Sequence, residues 1–166
     1  DIISVLNSVY GYLAVEGGFK TDLSFGSSST NTNASLGGNN GKKISDTDQI
    51  TLNNKNSNNL TKKLNYINSK IEYIRVIKAT NYNYFTDISK NDFFTKEFIV
   101  SKLSDRMGMR LSGPILKNNV STNIRSEGII KGVIQIPPDG SPIIMLSDHG
   151  TIGGYPKIAS VISADF

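Results

Sequence analysis

The chain has 166 residues, a formal net charge of +4, 37% hydrophobic and 19% charged residues. That is too apolar for a disordered chain and too polar for a membrane protein, and a single domain of this size buries roughly 70% of its unfolded surface. With no cysteine and only His149, disulfides, thiol nucleophiles, Cys-ligated metals and multi-histidine sites within the chain are excluded; carboxylate-only metal sites stay open.

The 18 Lys and Arg residues are spread along the chain, with doublets only at Lys42-Lys43 and Lys62-Lys63. This dispersion reads as solvated faces, not as the clustered, aromatic-interleaved pattern of a nucleic-acid binder. The sequence carries neither a basic segment leading into an apolar core of the signal-peptide kind nor an apolar run of about 18 residues, so the expected compartment is the cytoplasm. Asp1-Ile2-Ile3 opens without a Met, and Ala164-Asp165-Phe166 follows directly on an apolar run; such ends are expected of a piece of a longer chain.

Tyr10–Val15 reads as a short strand ending at Gly17-Gly18. The Gly- and Ser-rich segment 26–41 reads as a shaped loop. Residues 53–70 are rich in Asn, Lys and Ser and offer too little apolar surface to offset ordering entropy, so they read as a linker or insertion. It separates an N-terminal piece, 1–52, from a C-terminal one, 71–166.

Ile71–Ala79, dense in β-branched and aromatic residues, reads as a strand. Ser89–Lys96 is the one helical stretch, with Ser89 or Asn91 as its cap. Phe98–Ser101, Met109–Leu111, Gly132–Ile136, Ile143–Leu146 and Ile158–Ile162 are further short strands. Pro137-Pro138-Asp139-Gly140 is a turn with a mechanism, because Pro fixes φ near −65° and Gly permits positive φ. It predicts a hairpin between the strands on either side. Seven short strands punctuated by turns predict an all-β protein, mainly β with one or two short helices, folded as a barrel or sandwich.

Two segments hold the groups able to do chemistry. In Ser147-Asp148-His149-Gly150-Thr151-Ile152-Gly153-Gly154-Tyr155-Pro156-Lys157, glycines allow backbone N–H groups close to a ligand. Asp148 can accept an N–H or act as a base, and Thr151 and Tyr155 can donate hydrogen bonds. The same residues also suit a glycine-rich turn whose Asp and Thr satisfy their own backbone. His149 reads as a bystander, since neighbours on a strand point to opposite faces. In Ser104-Asp105-Arg106-Met107-Gly108-Met109-Arg110, Arg106 and Arg110 can grip a carboxylate or carbonyl with two hydrogen bonds, or form one exposed ion pair. Gly150–Gly154 lacks the Gly-Lys-Ser/Thr end of a phosphate-binding loop.

Taken together, Ser-Asp-Arg-Met-Gly-Met-Arg-Leu-Ser-Gly (104–113), Ser-Glu-Gly-Ile-Ile-Lys-Gly-Val-Ile-Gln-Ile-Pro-Pro-Asp-Gly-Ser-Pro-Ile-Ile-Met-Leu-Ser-Asp (126–148) and Thr-Ile-Gly-Gly-Tyr-Pro-Lys-Ile-Ala-Ser-Val-Ile-Ser-Ala-Asp (151–165) closely resemble the biotin-dependent carboxyltransferase family. That family includes the C-type subunit of bacterial 5-oxoprolinase, the protein KipA and the allophanate hydrolase subunit 2 region of urea carboxylase. Tyr12–Gly18, Gly26-Ser27, Ser29-Thr30, Gly37-Gly38 and Gly41 follow in the family's order.

The resemblance implies a cyclophilin-like β-barrel, here incomplete at both ends. It also implies work within an assembly, beside a KipI-like B-type subunit of 5-oxoprolinase and a LamB/YcsF-type partner (the A-type subunit), on a small amide substrate. ATP is implied for the assembled enzyme, and biotin for the carboxyltransferase members; neither a metal nor nucleic acid nor a membrane is implied. Arg106, Gln135 and Asp148 are the implied catalytic groups, with Arg106 clamping a carboxylate or ureido carbonyl and Asp148 orienting an N–H. Thr151, Gly153, Gly154, Tyr155 and Glu127 are the implied substrate-binding groups. The family's usual Asp-x-Gln-Thr-Thr-Gly-Gly-Tyr-Pro is altered, with Gly150 in place of the Gln and Ile152 in place of the second Thr; Ser28 stands where Arg is common. These departures favour the alternative function, a non-catalytic KipA-type protein that binds a KipI-like kinase inhibitor, whereas the retained Asp148, Arg106 and Gln135 favour the enzyme.

Overall fold

The computed structural model describes residues 13–53 and 73–165. The chain falls into two compact units, Asp1–Ile67 and Asn68–Phe166.

The first unit is held by backbone pairing between loops. Phe19 bridges Leu52, the Lys20 N–H donates to Thr51 O at 2.8 Å, and the Asn53 carboxamide donates to the carbonyls of Gly17 and Phe19. Segment 26–41 is shaped by tight reversals. Asn39, Asn40 and Gly41 are consecutive left-handed residues, and at Gly37, with φ +90°, a side chain would collide with the Ser29 carbonyl. Of the expected strand at 10–15, residues 10–12 lie outside the described residues, and 13–15 form no strand. Residues 54–70 of the expected linker also lie outside them.

The second unit contains β1 (Val76–Lys78), α1 (Asp87–Thr95), β2 (Ile99–Val100), β3 (Gly108–Ser112), β4 (Glu127–Gly128), β5 (Val133–Gln135), β6 (Ile143–Met145), β7 (Ile152–Gly153) and β8 (Lys157–Val161). Six of the strands form one antiparallel sheet in the order β1-β8-β5-β6-β3-β2, and β4 and β7 form a separate two-stranded ribbon. The regular secondary structure is therefore mainly strand, as expected, and among the described residues the sheet is open, with β1 and β2 as its edges.

The Pro-Pro-Asp-Gly hairpin forms as expected. Gln135 pairs with Ile143 and Ile134 with Ile144. Gly140 takes φ +77°, and its N–H donates to the Pro137 carbonyl at 2.9 Å. The helix begins earlier than expected, because Thr86 is its cap: Thr86 Oγ1 accepts from the Ser89 N–H at 3.1 Å. Ser89, one of the expected caps, is instead a buried tie whose hydroxyl accepts from the Lys117 N–H at 2.7 Å.

One face of β5 and β8 packs into the core formed by Phe85, Leu116, Ile134, Ile136, Ile158, Ala159 and Val161. Burying each large apolar side chain there contributes about 1.5–3 kcal/mol. The opposite face of the same two strands is also covered, since Val133 and Gln135 are buried. Burial on both faces suits the near-continuous apolar runs from which these strands were predicted, although the second face also carries Gln135.

Candidate functional site

β5 and β8 are not in simple register. Val133 faces Ser160 and Ile134 faces Ala159, but Gln135 faces Lys157, so Ile158 is an extra residue in β8. The bulge has two effects. It sends Ile158 into the apolar core, and it keeps Lys157 on the same face as Gln135.

Lys157 is a charged residue inside the protein, its side chain only 5% exposed, and its ammonium donates to Glu127 Oε2 at 2.6 Å. Glu127, on β4, is 44% exposed and keeps contact with water. The Lys157 backbone N–H is satisfied by Asn81 Oδ1 at 3.1 Å. Desolvation of the ammonium is thus offset by one close carboxylate.

Gln135 is buried too, and its Nε2 has no hydrogen-bond partner among the described residues. A buried carboxamide without a partner costs about 1–3 kcal/mol, so its presence in an apolar strand calls for a ligand or a mechanism. Gly153 lies against it: a Cβ added there would sit 2.6 Å from Gln135 Nε2 and collide with the Ile129 side chain. Gly153 in turn pairs directly with Glu127 across the ribbon. The ribbon therefore meets the large sheet at two adjacent points, Glu127 on Lys157 and Gly153 on Gln135.

Arg106 and Asp148 form a second centre. They lie just beyond the Gly108–Met145 end of the β3–β6 ladder, which continues through Met107 O with the Leu146 N–H and Arg106 O with the Asp148 N–H. Arg106 Nε donates to Asp148 Oδ2 at 2.7 Å and Nη2 to Oδ1 at 3.1 Å. This two-point grip holds the Asp148 carboxyl below the usual carboxylate range, against a smaller opposing push from burial. The two groups expected to hold substrate separately thus hold one another. The β3–β6 pairing joins two motifs that are 42 residues apart in sequence.

The remaining expected residues follow the chain between these centres. Thr151 is exposed, and its carbonyl accepts from the Ile129 N–H at 2.9 Å. The Gly154 carbonyl accepts from the Ile124 N–H at 2.8 Å, and a Cβ on Gly154 would lie 3.0 Å from Ile124 O. Tyr155 is 37% exposed. His149 makes no dyad with Asp148; its Nδ1 lies 2.6 Å from Gly150 O. Gln135, Glu127 and Gly153 are therefore brought together, Arg106 and Asp148 form a separate pair, and Lys157 was not among the expected site residues. Among the described residues no three His, Cys, Asp or Glu side chains come together as a metal site, and no helix is long and apolar enough to cross a membrane.

The fold recurs in solved structures. The chain superposes on Kluyveromyces lactis urea amidolyase and on urea carboxylase from the same yeast, each with a TM-score of 0.72 and 23% identity over 90% of this chain, covering 10% and 15% of those chains. The fold is thus shared with domains of those large enzymes.

Residues 2–166 match the family model described as carboxyltransferase domain, subdomain A and B, and the chain belongs to that family. It is 35% identical over 158 residues to the C-type subunit of 5-oxoprolinase from Escherichia coli (strain K12), and 36% identical over 158 residues to the corresponding subunit from Haemophilus influenzae. These matches cover 93% and 95% of this chain, and the chain spans about half the length, 50%, of each relative.

Proposed function

We propose that the chain is part of one component of a multi-subunit amide-processing enzyme, of the kind represented by the C-type subunit of 5-oxoprolinase, which opens 5-oxo-L-proline to L-glutamate with ATP. Carboxyl transfer to urea nitrogen is the related chemistry. The observation that carries this reading is the buried Gln135 carboxamide, whose Nε2 lacks a partner among the described residues in the midst of an apolar strand. Amide chemistry requires a donor aimed at a carbonyl oxygen on which negative charge develops, and a desolvated N–H is strongest there. Similarity to the 5-oxoprolinase subunits over almost the whole chain supports the same reading.

In this reading Arg106 and Asp148 act by exchanging partners. A reactant carboxylate displaces Asp148 from the half-exposed Arg106 guanidinium, and the freed Asp148 accepts the reactant's N–H. Both groups are present on 5-oxoproline. Lys157 and Arg106 are each offset by a carboxylate, so neither centre gathers the several free cations with which a triphosphate is usually held. In this reading ATP is used at the level of the assembly, with the KipI-like and LamB/YcsF-type subunits as the partners. A ureido carbonyl such as biotin carries does fit the uncharged Gln135 donor, and biotin would supply carriage of the carboxyl group.

The test is co-expression of the full-length protein with both partner subunits, measuring ATP-dependent glutamate release from 5-oxoproline. Activity in the wild type that falls on Asp148→Ala supports the reading, and full activity in that variant removes Asp148 from it. The KipA-type reading is favoured by one observation, the mutual engagement of Arg106 and Asp148 beside the apolar Gly150 and Ile152 positions. Complexes that form but turn over no member of an amide panel would favour it.

A further inference from the structure

The structure assigns Lys157 to the binding machinery: we infer that Lys157 Nζ and Gln135 Nε2 form a two-donor cradle for the oxygen of a neutral cyclic carbonyl, with Glu127 as the residue that positions Lys157. This deepens the proposed function and rests on its placing of the site at Gln135.

The bulge at Ile158 puts the two side chains on one face of neighbouring strands, directly opposite each other. Gln135 Nε2 has hydrogens to give and no acceptor among the described residues. An ammonium carries three N–H donors, and the side-chain partner of this one is Glu127. Both groups are more than nine-tenths buried, so an oxygen placed between them meets two donors in a medium of low dielectric.

Charge decides which oxygen. Lys157 and Glu127 cancel, and Gln135 is neutral, so the cradle has no net charge with which to offset an anion taken out of water. An amide or ureido carbonyl fits; a carboxylate does not. Gly153 forms the wall beside Gln135, on a strand only two residues long. This short strand is the element that yields to admit the ligand, and any side chain at 153 would fill the place of the carbonyl.

The experiment is a titration of the full-length ¹⁵N-labelled protein with 2-pyrrolidinone, 2-imidazolidinone and propionate, following the Gln135 side-chain NH₂ signals. The cradle predicts a saturable shift with a cyclic carbonyl and none with propionate. The lactam or the cyclic urea binding more tightly tells whether the natural oxygen is that of an amide substrate or of a ureido carrier. Lys157→Met should weaken carbonyl binding about tenfold, as expected for loss of a charged donor. Gly153→Ala, whose Cβ would crowd Gln135 Nε2 and the Ile129 side chain, should abolish it while leaving the charges of Lys157 and Glu127 unchanged, and decides the matter should Lys157→Met fail to fold. Glu127→Gln leaves the cradle with a net positive charge and should move the preference toward propionate about tenfold, a reversal that a purely structural role for the pair would not produce. Absence of a Gln135 shift with either carbonyl, or equal binding of propionate by the wild type, overturns the inference. Such a result alongside glutamate release by the assembled enzyme leaves the proposed function standing; carbonyl binding without turnover of any amide does the opposite.

Discussion

Lys157 faces Gln135 because Ile158 is an extra residue in β8: with unbroken pairing from Ile134–Ala159, Gln135 would oppose Ile158. One inserted residue thus fills the core with Ile158 and places a cation beside a buried carboxamide. Ile158→Ala tests the packing half of this relationship. It should lower unfolding free energy by about 2–4 kcal/mol in urea denaturation, since Ile158 is completely buried.

The Lys157–Glu127 pair should respond asymmetrically to mutation. Glu127→Gln leaves a buried ammonium without its carboxylate and should cost about 1–3 kcal/mol, less than for a wholly buried pair because Glu127 is 44% exposed. Lys157→Met leaves only a carboxylate that water already reaches, and its apolar side chain suits the buried position. Glu127→Gln should therefore melt at lower temperature than Lys157→Met; the reverse order would show that the ammonium needs no partner.

The Arg106–Asp148 pair predicts a pH dependence. The folded-state pKa of Asp148 is depressed by the guanidinium, so the pair's contribution is complete above the ordinary carboxylate range and is lost as pH falls through the depressed value. Asp148→Asn should cost about 0.5–1 kcal/mol at pH 7, a modest figure because Arg106 is more than half exposed. The difference from wild type should shrink as urea midpoints are followed from about pH 5 toward pH 2.

Gly140 carries the hairpin turn at φ +77°, and a side chain there would strike Ile115 and Leu116. Gly140→Ala should destabilise the protein by about 1–3 kcal/mol. Gly128, with open space around its α-carbon, should tolerate the same change with a far smaller shift in melting temperature.

The central strands were legible because their chemistry is local. Val133–Gln135, Ile143–Met145 and Lys157–Val161 are apolar runs, and the Pro-Pro-Asp-Gly turn between the first two dictates their pairing. β4 and β7 were not legible: each is two residues long, half of them glycine, with no alternation to detect. The helix cap was misplaced by starting the helix too late; Thr86-Asp87, a cap followed by an acidic first-turn residue, was the available signal.

Gln135 was reached through the family resemblance and not through the strand pattern, in which it is one polar residue within an apolar run. Lys157 was not, because a lysine at a strand's start ordinarily reads as solvated, and a bulge leaves no mark in the pattern of alternation. Pro156 before it and Ile158-Ala159 after it, all buried, were the only hint. The mutual grip of Arg106 and Asp148 depends on β3–β6 register, which neither motif contains.

The most direct measurement is glutamate release from 5-oxoproline, with ATP, by the full-length protein co-expressed with the two subunits proposed as its partners, comparing wild type with Gln135→Leu. Leucine keeps the volume and removes the donor, so the complex should still assemble while the rate falls about 10²-fold or more, the scale of losing one carbonyl-directed hydrogen bond. An assembled Gln135→Leu complex that releases glutamate at the wild-type rate would contradict the account.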